Sequence, residues 1–151
     1  MKSPQEVPLS NSHRPEWNRV WMEFAQIIAR RSYDPRHQVG AVVVSDDNTQ
    51  VLAIGYNGNY KGGPNEAESL KPGESGMIHA EINALLKMDY NNPKSKILYV
   101  TLSPCRMCAK AIVNAGIQKV FYDEEYRDTS SLEILRNSGV EVSRFSLQHN
   151  T

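Results

Sequence analysis

The stretch Ile97-Leu98-Tyr99-Val100-Thr101-Leu102-Ser103-Pro104-Cys105-Arg106-Met107-Cys108 decides how this chain folds. Its first half is an apolar, β-branched run and reads as a buried strand over 97–101. Ser103-Pro104 then reads as a helix start, with serine at the N-cap and proline at the first helical position. Two cysteines three apart on that helix face the same way. They also fall in its first turn, where unsatisfied N–H groups and the helix dipole favour anions and lower a thiol's pKa.

Upstream, His79-Ala80-Glu81 opens another predicted helix. Two helix starts meeting at one point would bring His79, Cys105 and Cys108 together as three metal ligands. Structural zinc sites use four protein ligands, whereas catalytic ones keep a position open for water. Glu81 is then the proton carrier such a water requires. Taken alone, Cys-x-x-Cys is also compatible with half a structural zinc site or a redox pair. The His-x-Glu upstream and Arg106-Met107 between the cysteines favour the metal. These are the only two cysteines, so there is no disulfide framework and one metal site is expected. His13, His37 and His149 read as ordinary surface or core residues.

The other elements follow from periodicity. Trp17, Val20, Trp21, Phe24, Ile28 and Arg31 mark an amphipathic helix ending near Ser32, stopped by Asp34-Pro35. Strands over 39–44 and 51–56 flank the turn cluster Ser45-Asp46-Asp47-Asn48 and make a hairpin. A long loop from Asn59 to about Met77 follows, of the kind that is often functional. The helix from His79 runs to about Met88, with Ile82, Leu85 and Leu86 on one side. The helix after Ser103 runs to Asn114 and stops at Gly116. A strand over 120–122, a helix over 131–137 closed by Gly139 and a strand over 140–145 complete the chain. The alternation from residue 79 onward implies parallel strands joined by right-handed crossovers.

Length and composition bound the rest. At 151 residues, 40% hydrophobic and 23% charged, the chain makes one ordinary domain. Lys+Arg and Asp+Glu both total 17, so the net charge is zero. That weighs against a nucleic-acid polymer as partner, which would call for a basic face. It leaves room for a small anion held by one or two arginines. No apolar run follows Met1-Lys2-Ser3-Pro4, so neither a signal peptide nor a membrane span is expected, and the cytoplasm is the expected location. Residues 1–14 read as a flexible arm, 15–145 as the domain and 146–151 as a C-terminal tail.

His-x-Glu with Pro-Cys-x-x-Cys is the pattern of zinc-dependent nucleobase deaminases. From about Trp17 to Val142 the chain resembles the zinc-dependent cytidine deaminase superfamily, and within it the deoxycytidylate deaminases. The flanks carry this: Ala29-Arg30-Arg31-Ser32-Tyr33-Asp34-Pro35 with Gln38-Val39-Gly40-Ala41, then Gly55-Tyr56-Asn57-Gly58, then Tyr99 to Cys105 and Ala109-Lys110-Ala111-Ile112. The resemblance implies an α/β fold, a three-layer α/β/α sandwich on a five-stranded mixed sheet, and commonly a hexamer. It implies hydrolysis of dCMP to dUMP and ammonia, feeding thymidylate synthesis. The alternatives are dCTP as a further substrate, or adenosine in tRNA or another base deaminated on the same fold.

The resemblance also suggests roles. His79, Cys105 and Cys108 would bind one Zn2+ per chain, and Glu81 would shuttle protons. Asn57 would meet the deoxyribose 3′-hydroxyl, the Ala80 N–H the base carbonyl, and the Ser103 carbonyl the leaving amine. Tyr126 falls where the family places a nucleotide-binding tyrosine. Arg36 is a candidate for the phosphate, its alternative being a solvated loop arginine. The turn Gly58, Asn59, Lys61 and Gly62 would belong to a regulatory site for dCTP and dTTP, bound with Mg2+; the alternative for Asn-Gly is an ordinary turn. Tyr60 stands where the family usually has proline. The cysteines with which some relatives hold a second, structural zinc are absent.

Overall fold

Every residue of β1 (Gly40–Ser45) is buried, and the fold is built around it. In the computed structural model, which describes residues 6–148, the order is α1 (Trp17–Ala29), β1, β2 (Val51–Tyr56), α2 (Ala80–Leu85), β3 (Lys96–Leu102), α3 (Arg106–Asn114), β4 (Lys119–Glu124), α4 (Ser130–Asn137) and β5 (Glu141–Arg144). The sheet is five-stranded in the order β2-β1-β3-β4-β5. β1 is antiparallel to β2 and β3, while β3, β4 and β5 are parallel. The expected mixed sheet is therefore present.

Alternation along the strands sorts the core into two layers. Val42 and Val44 of β1, with Ile97 and Tyr99 of β3, pack against Trp21, Met22 and Ala25 of α1. Ala41, Val43, Leu98 and Val100 point the other way, onto Ala84 and Leu85 of α2, Ile112 of α3 and Leu135 of α4. A strand covered on both faces needs apolar residues at successive positions, which is why Ala41-Val42-Val43-Val44 is unbroken.

Two glycines set how closely helices approach the sheet. A Cβ on Gly40 would collide with the Ala25 carbonyl and sit 2.6 Å from the Ala29 nitrogen of α1. A Cβ on Gly55 would collide with the Ala80 carbonyl and sit 2.5 Å from the Ala84 nitrogen of α2. The obstacle in both cases is backbone, which cannot step aside. Gly40→Ala and Gly55→Ala are each expected to cost about 1–3 kcal/mol in a denaturant melt. Only Gly55→Ala displaces the helix that follows His79, so only it should weaken zinc retention in a chelator competition.

Several predicted boundaries move. α1 ends at Ala29, three residues early, because the N–H groups of Arg30, Arg31 and Ser32 bond to carbonyls three residues back. α2 ends at Leu85 for the same reason: Lys87 and Met88 close on Ala84 and Leu85, and Leu86 is left exposed. The helix start predicted at Ser103-Pro104 lies instead at Arg106, with Cys105 as N-cap. Ser103 is unavailable as a cap, since its N–H bonds the Glu124 carbonyl (2.8 Å) and its Oγ accepts from the Tyr126 N–H (2.6 Å).

Residues 6–14 are exposed throughout, as expected of an arm; residues 1–5 and 149–151, with His149, lie outside the described residues. The segment after β5 is less loose than a tail. Phe145 and Ser146 are buried, Leu147 packs with the α1 cluster, and Arg19 holds the Leu147 carbonyl at 3.2 Å. No described helix is long and apolar enough to cross a membrane.

Candidate functional site

The starts of α2 and α3 face each other. His79 is the extended residue before α2, and Glu81 lies in that helix's first turn. Cys105 caps α3, its Sγ accepting from the Cys108 N–H at 3.4 Å. His79 Nδ1 lies 3.2 Å from Cys108 Sγ and 3.4 Å from Cys105 Sγ. Zinc bonds of ordinary length in a tetrahedron would separate an imidazole nitrogen and a thiolate by about 3.5 Å. The three donors therefore already stand near the spacing of zinc ligands. All three ligand atoms fall within 4.8 Å of one another.

Their electrostatics fit a cation. The Cys105 thiol is pulled down to about 4, chiefly by hydrogen bonding from Cys108, with further help from His79 and the Cys108 N–H. Cys108 is raised by the same hydrogen bond and by burial, so it retains the proton of the pair. His79 is raised, first by its hydrogen bond to Cys105. Two thiols and an imidazole crowded around shared protons form a donor set that a divalent ion satisfies better. Next to them, Glu81 is 4% exposed, and burial pushes its carboxyl up to about 6.

The ligands border a cavity of about 620 Å³. Asn57, Ala80, Glu81 and Ser103 also line it, beside His79 and Cys105. Its sides come from Asp34 to Val39, from the loop at Leu70 to Gly73, and from Glu124 to Asp128. The cavity is thus walled by segments distant in sequence, with the candidate metal ligands at one edge.

The family model for the cytidine and deoxycytidylate deaminase zinc-binding region matches residues 15–124, a span that includes all three donors and Glu81. The chain belongs to the cytidine and deoxycytidylate deaminase family. It is 34% identical to human deoxycytidylate deaminase over 86% of this chain and 80% of that protein. It is likewise 34% identical to the deoxycytidylate deaminase of Saccharomyces cerevisiae, covering 96% of this chain but 49% of the yeast protein, so it spans about half that relative's length. Among solved structures, the dCMP deaminase of cyanophage S-TIM5 in complex with dCMP and dUMP superposes with a TM-score of 0.76 at 36% identity, covering 87% of this chain and 98% of that one. The family is a zinc-binding one, and the His79-Cys105-Cys108 set is where this member would hold the ion.

For a deaminase of this family, the structure gathers most of the predicted site. Arg36, Asn57, His79, Ala80, Glu81, Ser103, Cys105 and Tyr126 all border the cavity, and Cys108 completes the metal set behind it. Gly58, Asn59, Lys61 and Gly62 do not border it. The Gly58 N–H and carbonyl pair with Ile78 at 3.0 and 2.8 Å, and the Asn59 N–H donates to the Tyr33 hydroxyl at 2.6 Å. Those two amides are spent on the fold. Asn57 is more heavily committed than its sequence context suggests. Its Nδ2 donates to the His37 carbonyl (2.8 Å) and Asp34 Oδ2 (3.2 Å), and its Oδ1 accepts from the Val39 N–H (2.9 Å).

Three contributions escaped the sequence reading. Lys71 and Arg127 join Arg36 in the cavity lining. Asn83 anchors α2, its Nδ2 donating to the Tyr56 carbonyl at 2.9 Å. An asparagine among the apolar positions of a short helix was the one available signal for the last. The two cations sit in loops without periodicity and gave none.

Proposed function

We propose that this protein hydrolyses dCMP to dUMP and ammonia. The observation that carries the reading is the open three-donor set of His79, Cys105 and Cys108 beside the buried Glu81, at the edge of a cavity sized for a nucleotide. The choice of base and sugar draws on deoxycytidylate deaminases being the relatives at 34% identity.

A zinc ion held by His79, Cys105 and Cys108 would supply Lewis acidity to a water in its open position. The chain's own groups do the rest. Glu81, with its carboxyl near 6, can both accept and return a proton near neutral pH. It takes one proton from the water and passes it to the ring nitrogen next to C4, then takes the remaining proton from the new C4 hydroxyl and gives it to the departing amine. A C4–O bond forms, the C4–N bond breaks, and ammonia leaves. The Ala80 N–H opens α2 and has no intrahelical acceptor, which suits it to the base carbonyl. The Ser103 carbonyl would hold the amine. The Asn57 Oδ1 has a second lone pair for the sugar 3′-hydroxyl. Arg36, Lys71 and Arg127 would face the phosphate, with Tyr126 beside the nucleotide.

Ammonia release from dCMP, dCTP, cytidine and cytosine, measured side by side, tests this. Turnover should be greatest with dCMP; turnover of cytidine with none of dCMP would overturn the nucleotide assignment. The same assay with dCTP, Mg2+ and dTTP tests effector control, for which Gly58, Asn59, Lys61 and Gly62 are the candidates, the last two being exposed. A hexamer, a cytoplasmic location and a role in supplying dUMP for thymidylate belong to the same proposal, supported by the family resemblance.

A further inference from the structure

Between the helix α1 and the strand β1, the carboxylate of Asp34 holds two parts of the cavity at once. Its Oδ1 accepts the Arg36 N–H at 2.8 Å and the His37 N–H at 3.2 Å. Its Oδ2 accepts from Asn57 Nδ2 at 3.2 Å. The first pair shapes the turn that delivers Arg36 to the cavity, where its guanidinium reaches across to the Leu70 carbonyl. The last contact fixes which way the Asn57 amide faces: Asp34 and the His37 carbonyl both demand the NH2, and the Val39 N–H demands the oxygen. Ser32 braces the arrangement, its Oγ donating to the Asn57 carbonyl at 2.9 Å and accepting the Asp34 N–H at 3.2 Å. Asp34 itself lines the cavity, beside Arg36, His37, Val39 and Asn57, so its bonds shape the cavity wall.

We infer that Asp34 is a positioning residue for the nucleotide: it aligns Asn57 and Arg36 so that sugar and phosphate are met together. The inference rests on the nucleotide deaminase reading. Asp34 touches neither the metal donors nor Glu81, so it should act on substrate affinity and leave the chemical step alone.

The test is steady-state kinetics on dCMP with the zinc-loaded protein and the variants D34A, D34N, R36A and D34A/R36A. D34A removes three hydrogen bonds to a charged acceptor and is expected to raise KM about 10-fold or more, with kcat within about twofold and zinc content unchanged. D34N keeps an oxygen for the Arg36 and His37 N–H groups but turns an NH2 toward that of Asn57; its KM should rise about 3–10-fold. If Asp34 works in part through Arg36, D34A/R36A should fall short of the product of the single effects. An unchanged KM in D34A and D34N, even with a lower melting temperature, overturns the inference, as does a fall in kcat at constant KM. Should D34A not fold, D34N alone decides by the same criterion. Failure of the wild-type protein to turn over dCMP would instead sink the functional reading, so the two failures are told apart.

Discussion

Glu81→Gln is expected to lower kcat on dCMP by about 10²–10⁴ while leaving zinc content and melting behaviour close to those of the wild type. Glutamine has the same size and can fill the same 4%-exposed position at the start of α2. What it cannot do is gain or lose a proton near neutral pH. The buried carboxyl is costly to keep charged in this setting, which is the cause of its elevation to about 6. A group carrying that cost for structural reasons alone could be replaced by its neutral amide without kinetic consequence. Full activity in E81Q would therefore remove Glu81 from the proton transfers assigned to it.

Cys108→Ala should have the largest effect on the metal. Cys108 is 1% exposed and faces His79 Nδ1 at 3.2 Å, so no solvent ligand can easily replace its sulfur. Two protein donors would remain where three are needed. The purified variant should lack stoichiometric zinc by metal analysis, and ammonia release should drop to the level without enzyme. Adding Zn2+ to chelated wild-type protein should raise its melting temperature, because an ion that binds the folded state alone stabilises it. The same addition should leave C108A unmoved. A reversible Cys105–Cys108 disulfide without stoichiometric metal would turn the pair back into a redox centre.

The chemistry was legible in the sequence because ligand spacing, unlike loop shape, survives folding almost unchanged. Cys105 as the N-cap and Cys108 three residues on still lie together at the start of α3, so misplacing that start at Ser103 did no harm to the metal set. The misplacement has a physical source. Serine before proline serves equally to cap a helix or to end a strand, and only the position of Glu124 and Tyr126 across the sheet decides between them. The layers were legible from Ala41-Val42-Val43-Val44, since only a doubly covered strand tolerates that run. The cationic flank was not, because Lys71 and Arg127 are brought to Arg36 by tertiary folding and share no local pattern with it. The bonding of Gly58 and Asn59 was hidden for a related reason. Glycine advertises a backbone free to approach a ligand, but here the partners are Ile78 and Tyr33.

The pairing of Gly58 with Ile78 also separates what can vary in this molecule from what cannot. Its two hydrogen bonds, 3.0 and 2.8 Å, pinch the chain shut immediately before His79. Everything from 59 to 77 leaves and returns through that pinch. Doubling the length of such an excursion costs only about 0.6 kcal/mol in closure entropy. Residues can thus be inserted or deleted there while the histidine stays in place. The segment from Ala67 to Gly73, which forms one wall of the cavity, lies wholly within this tolerant stretch. The start of α2, wedged against Gly55, does not. Reaction and recognition are in that sense heritable apart: a lineage could reshape the wall, and with it the range of nucleotides admitted, without disturbing the ligands.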